Sequence, residues 1–101
     1  MKGDLLVFTR PDKTEVVFLH WFEKPGNVHY FRVQKGTEKD VPFAKRFAEF
    51  FGMQIGDLDE YANVNPTILV CTNDTYCYIF PYRMDEFLRA EDVTLRRRTV
   101  R

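Results

Sequence analysis

The sequence predicts an α+β fold: a three-stranded antiparallel meander, an amphipathic helix packed on the sheet, then a second β-hairpin and a short C-terminal helix. Three observations carry this reading. Residues 4–35 divide into three β-rich runs separated by clusters of turn formers. Phe43, Phe47, Phe50 and Phe51 then recur at the i, i+4, i+7 and i+8 spacing of one helix face. Beyond them, residues 67–80 are dense in β-branched and aromatic side chains around an Asn73-Asp74 turn signal.

The first strand covers residues 4–10 and the second 15–23, with Pro11-Asp12-Lys13-Thr14 as the turn between them. The second strand reads EVVFLHWFE and is apolar at nearly every position, so it should be buried on both faces. The third strand, 28–35, follows Lys24-Pro25-Gly26-Asn27, where Pro fixes φ and Gly accepts a positive one. Linkers of four residues place Arg10 opposite Glu15 and Glu23 opposite Val28. Strand alternation then sorts the side chains into two faces. Leu5, Val7, Phe18, His20, His29 and Phe31 fall on the face expected to be the core. Leu6, Phe8, Leu19, Trp21, Tyr30 and Arg32 fall on the other, whose mixture of aromatic rings and arginine is the composition enriched at binding surfaces.

The helix opens at Asp40, a suitable N-cap, with Pro42 in the first turn, where a missing N–H costs nothing, and closes at Gly52. Burying three of its four phenylalanines contributes roughly 5–9 kcal/mol before entropy, so the stripe must dock on the sheet or on a partner. Asp57 and Glu60 have capping-box spacing and suggest a short helix ending near Asn63. The alternative, a calcium loop over Asp57, Asp59 and Glu60, lacks the central Gly that such a loop needs for its sharp turn. Pro66 opens the second hairpin, with strands at 67–72 and 75–80, and Pro81 ends it. Residues 84–91 suit a helix burying Phe87 and Leu88, 93–95 a short strand or arm, and 96–101 a basic tail that follows a single domain of residues 1–95.

A chain of 101 residues with 45 % hydrophobic and 16 % aromatic content can build one core without cross-links. Fifteen basic residues balance fifteen acidic ones, so a general attraction to nucleic acid or to a membrane is not expected. Neither an apolar run of spanning length nor a charged n-region with an apolar core is found, which predicts a soluble, cytoplasmic protein. Cys71 and Cys77 flank the Asn73-Asp74 turn, and an even turn sends them to opposite faces as free thiols.

Chemistry-bearing residues are sparse. The expected register brings His20 and His29 onto one face at diagonal positions, but with no third Cys, His or carboxylate beside them, short of the ligand set zinc requires. They are secondary site candidates, and no metal or cofactor is expected. Gly3-Asp4-Leu5-Leu6-Val7-Phe8 and Arg32-Val33-Gln34-Lys35-Gly36 lie on strands one and three of a meander followed by a helix. That order of elements resembles the central part of the restriction-endonuclease-like nuclease fold, whose metal site uses an Asp on one strand and E-x-K on another. The resemblance covers the first half of the chain. It implies a divalent-metal nuclease built around Asp4, with Glu23 as the carboxylate companion; the E-x-K itself is missing, since Gln34 and Lys35 are adjacent and alternate to opposite faces.

The expectation from the residues themselves is a non-enzymatic interaction or small-ligand-binding domain, acting as a homodimer or holding a small apolar or aromatic ligand. Its site would be Leu6, Phe8, Leu19, Trp21, Tyr30 and Arg32. The rival readings are the nuclease-like hydrolase and an accessory protein that binds nucleic acid through its C-terminal arginines.

Overall fold

The turn after the first strand decides which side chains face the core. In the computed structural model, described over residues 3–23, 28–33, 40–55, 69–73 and 81–100, β1 (Gly3–Thr9) and β2 (Glu15–Glu23) are joined through a three-residue loop, Pro11-Asp12-Lys13. The Lys13 N–H donates to the Arg10 carbonyl at 2.9 Å and the Arg10 N–H to the Thr14 carbonyl at 2.9 Å, while Lys13 takes φ +74°. This is a tight turn closed by one left-handed residue. Asp12 braces it, its Oδ1 accepting from the Thr14 N–H at 3.0 Å and from the Thr14 hydroxyl at 2.6 Å.

Because that loop is one residue shorter than a four-residue linker, Thr9 and not Arg10 stands opposite Glu15, and the pairs Phe8↔Val16, Leu6↔Phe18 and Asp4↔His20 follow. Every β1 side chain therefore occupies the face opposite to the one expected from the sequence. Leu6 and Phe8, assigned to the binding face, are 1 % and 0 % exposed in the core. The second hairpin keeps the expected register: Glu23 stands opposite Val28 and Trp21 opposite Tyr30, with β3 at Val28–Val33.

The remaining elements are α1 (Asp40–Phe51), β4 (Gln54–Ile55), β5 (Leu69–Asn73), α2 (Pro81–Glu91) and β6 (Thr94–Val100). Six antiparallel strands lie in the order β4-β5-β3-β2-β1-β6. Following the antiparallel pairs across the sheet, β3 and β4 run the same way, as do β5 and β6. Each helix thus returns the chain to start a parallel strand: α1 crosses over one strand and α2 over three. Both helices end alike. At α1, Gly52 is left-handed (φ +67°), Met53 N–H reaches the Ala48 carbonyl at 2.7 Å and Gly52 N–H the Glu49 carbonyl at 3.3 Å. At α2, Asp92 is left-handed (φ +56°), with Val93 to Leu88 at 3.0 Å and Asp92 to Arg89 at 3.3 Å. These are paired Schellman closures, and each delivers the chain into a strand two residues later. Residues 96–100, expected in a basic tail, continue β6 and pair with β1 from Thr9↔Thr94 to Gly3↔Val100. The expected helix at 57–63, the returning strand at 75–80 and Cys77 lie outside the described residues.

The core is aromatic. Phe47 on α1 meets Phe8, Phe18, Phe31, Phe51 and Phe87 at ring-centroid distances of 5.8, 5.1, 5.4, 4.8 and 5.3 Å. Phe87 on α2 also reaches Phe8 at 6.3 Å and Phe43 at 5.5 Å. The angles are mostly edge-to-face, the arrangement that the ring quadrupoles favour. Since Phe8, Phe18 and Phe31 share one sheet face and meet both helices, both helices lie on that side. Arg46 on α1 clamps Glu91 on α2 through two hydrogen bonds of 2.8 Å. Arg83 adds a 2.8 Å bond to the Phe50 carbonyl and sits 4.4 Å over the Phe50 ring.

Phe47 is 0 % exposed at the centre of this cluster. Phe47→Ala should lower stability by about 3–5 kcal/mol in urea unfolding, a large share of the whole for a domain of this size. A loss below about 1 kcal/mol would contradict the packing described.

Candidate functional site

Two places on the sheet gather residues with chemical or binding potential. The first is the face turned away from the helices. Alternation from the observed pairs puts Leu5, Val7 and Thr9 of β1, Val17, Leu19 and Trp21 of β2, and Tyr30 and Arg32 of β3 there. Of the six residues expected at a binding face, Leu19, Trp21, Tyr30 and Arg32 are brought together on it, each partly exposed. Leu6 and Phe8 are replaced by Leu5, partly exposed, and Val7, buried. Trp21 and Tyr30 stack with centroids 5.2 Å apart and planes inclined by 15°, a flat double ring in the middle of the face. Arg96 and Arg98 extend it along β6, both exposed, and Arg96 reaches Glu15 at 3.7 Å. Among the described residues no helix or strand lies over this face.

The second place is on the helix-side face, where the aromatic core stops. His20 and His29 lie side by side: their rings are parallel within 6°, centroids 5.1 Å apart, with His20 Nε2 2.9 Å from His29 Nδ1. Such a bond needs a donor nitrogen on one ring and an acceptor on the other, so at least one imidazole must be neutral. Phe31 covers the His20 ring from above, 4.6 Å away and inclined by 17°. Burial, reinforced by the neighbouring His29, pushes the His20 pKa down to about 4; Asp4 opposes that shift and Arg97 adds to it.

Asp4 enters this group because of the shortened turn. It stands opposite His20, so the face does carry a carboxylate, contrary to expectation. The same register separates Asp4 from Glu23, the companion that the nuclease resemblance required: Glu23 lies three positions beyond the residue facing Asp4. Among the described residues no three His, Cys, Asp or Glu side chains stand close enough to hold a metal ion. The contact links the two neighbouring strands through one ring N–H held between the imidazoles.

No sequence signal marks Lys13 as left-handed, since Gly, Asn and Asp are the usual occupants of that conformation. Without it, the apolar run Leu5-Leu6-Val7-Phe8 can face either way, and neither Asp4 nor Leu5 can be placed.

No family model matches the chain, and neither curated proteins nor solved structures give a significant match. Among the described residues no helix is long and apolar enough to cross a membrane.

The sign of the His20 shift fixes a pH dependence. In the unfolded chain His20 takes up a proton near 6.5, whereas in the folded protein it stays neutral down to about 4. Its contribution is therefore complete above the unfolded pKa and is lost as pH falls through this window. Because the ring is only partly buried, the loss should be about 1–2 kcal/mol. Urea unfolding at about pH 7 and about pH 5 should show it in the parent and much less of it in His20→Gln; equal losses in the two proteins would assign the titration to other groups.

Proposed function

We propose that the protein is a non-enzymatic interaction domain that pairs with a second copy of itself through the sheet face turned away from the helices. The supporting observation is the placement of both helices on one side, which leaves Leu5, Val17, Leu19, Trp21 and Tyr30 partly exposed on the other. A contiguous patch of this composition that stays partly exposed is an unusual surface for a monomer.

Its chemistry suits a twofold partner. An apolar centre complements itself under a twofold axis, and the charged side chains Arg32, Arg96, Arg98 and Glu15 accompany it. Aligned sheets pack about 10 Å apart with interdigitating side chains, which a stacked Trp-Tyr pair can anchor. Size is adequate as well. Six strands at a spacing of about 4.8 Å and about 20 Å long offer roughly 500–600 Å² in projection, and side-chain relief carries this toward the about 800 Å² per partner of a standard interface.

Trp21→Glu places a charge at the centre of that patch and should disrupt assembly more than folding. Sedimentation equilibrium should find a dimeric parent and a monomeric variant, with circular dichroism unchanged. A monomeric parent would overturn the pairing.

A further inference from the structure

We propose that β6 is a docking edge for an acidic, extended segment of another protein, which joins the sheet as an additional strand. The docking element is the backbone edge of β6, which adjoins the face proposed for self-pairing through Arg96 and Arg98. Among the described residues β6 is the outermost strand beyond β1, and its inner edge is paired along its whole length. Among the described residues no strand pairs with its outer edge, whose row of backbone N–H and C=O groups is the template on which an extended peptide adds.

Sheet edges are ordinarily kept unreceptive by shortness, proline, a bulge or charged side chains, the last of which block a like edge and not one of opposite charge. Among the described residues the opposite edge is β4, with two residues, Gln54–Ile55. By contrast β6 is seven residues of continuous ladder, TLRRRTV, without proline or an interruption of register. What it carries instead is charge. Arg96, Arg97 and Arg98 are all exposed, with Arg97 on the helix side and its neighbours on the other. Among the described residues the carboxylate paired with this run is Glu15, 3.7 Å from Arg96, and both side chains of that pair remain about half exposed (65 % and 47 %).

This pattern selects the occupant. A second β6 would align two arginine runs in antiparallel register, setting guanidinium against guanidinium, so edge pairing between copies is disfavoured. A segment alternating acidic and β-branched residues offers carboxylates to the arginines while its backbone satisfies the outer edge. Nucleic acid would engage the guanidiniums only and leave the backbone groups unpaired, which favours the peptide.

The probe is a dye-labelled synthetic peptide of alternating glutamate and threonine, titrated by fluorescence anisotropy at about 0.1 M salt. Saturable micromolar binding is expected. It should weaken at least tenfold in a folded Arg97→Ser/Arg98→Ser protein and at least tenfold for the same peptide N-methylated at alternate amides. It should persist in Trp21→Glu, whatever becomes of self-pairing. Equal binding of the N-methylated peptide, or of a single-stranded oligonucleotide of equal charge, would overturn strand addition in favour of simple charge attraction. Failure of the acidic peptide to bind would overturn the proposal and leave the arginines as guards against aggregation.

Discussion

The ring of Phe47 is the contact on which the rest of the architecture depends. It is the point where three strands and two helices meet: Phe8, Phe18 and Phe31 approach from the sheet, Phe51 from its own helix and Phe87 from the other. Aromatic rings bury more area per residue than aliphatic ones and pack at defined angles, so one such hub holds both helices on the same side. A helix moved to the far side of the sheet would lose these partners and expose its stripe. That the face with Trp21 and Tyr30 is turned away from both described helices is therefore a consequence of the core. Since the aromatic material for packing helices is gathered on one side, the other can only be closed from outside the two described helices.

Much of this was legible from residue order. The spacing of Phe43, Phe47 and Phe51 gave α1 its buried face, and Gly52 marked its end because glycine takes a positive φ at no steric cost. The β2–β3 register followed from the four residues between the two strands. The end of α2 at residue 91 was legible too, whereas its start lies at Pro81, three residues before the expected 84. Beyond that end the left-handed position is held by Asp92, one of the few non-glycine types that favour it, and the Schellman bonds to Leu88 and Arg89 lead the chain into Val93.

A single backbone angle separates the candidate site read from the sequence from the one in the structure. Lys13 at φ +74° removes one residue from the loop, and the period of two in a strand converts that into a complete exchange of faces. Leu6 and Phe8 go to the core, Leu5 and Val7 come to the open face, and Asp4 is set beside His20 instead of near Glu23. The hydrophobic pattern could not have resisted the error. Leu5, Leu6, Val7 and Phe8 are all apolar, so both assignments bury comparable material, and only the larger ring of Phe8 favours the side where Phe43, Phe47 and Phe87 converge. A local turn preference, weak in energy, thus governs which residues remain available for recognition.

The arginine run illustrates a different kind of illegibility. Three adjacent charges at the end of a chain have no apolar alternation and read as solvated tail, because nothing in their own sequence rewards an extended conformation. What orders them is β1, whose outer edge would otherwise be exposed; pairing it from Gly3 to Thr9 satisfies backbone groups that the arginine side chains need not help to bury. The cost of that solution is a new edge one strand further out, and a charged edge resists self-association while staying receptive to the opposite charge. The two proposals therefore ask for different partners: self-pairing would use the apolar centre around Trp21 and Tyr30, whereas the arginine-bearing edge disfavours its own copy. If both proposals hold, one sheet would keep self-pairing through its apolar centre apart from the capture of a different chain along its edge.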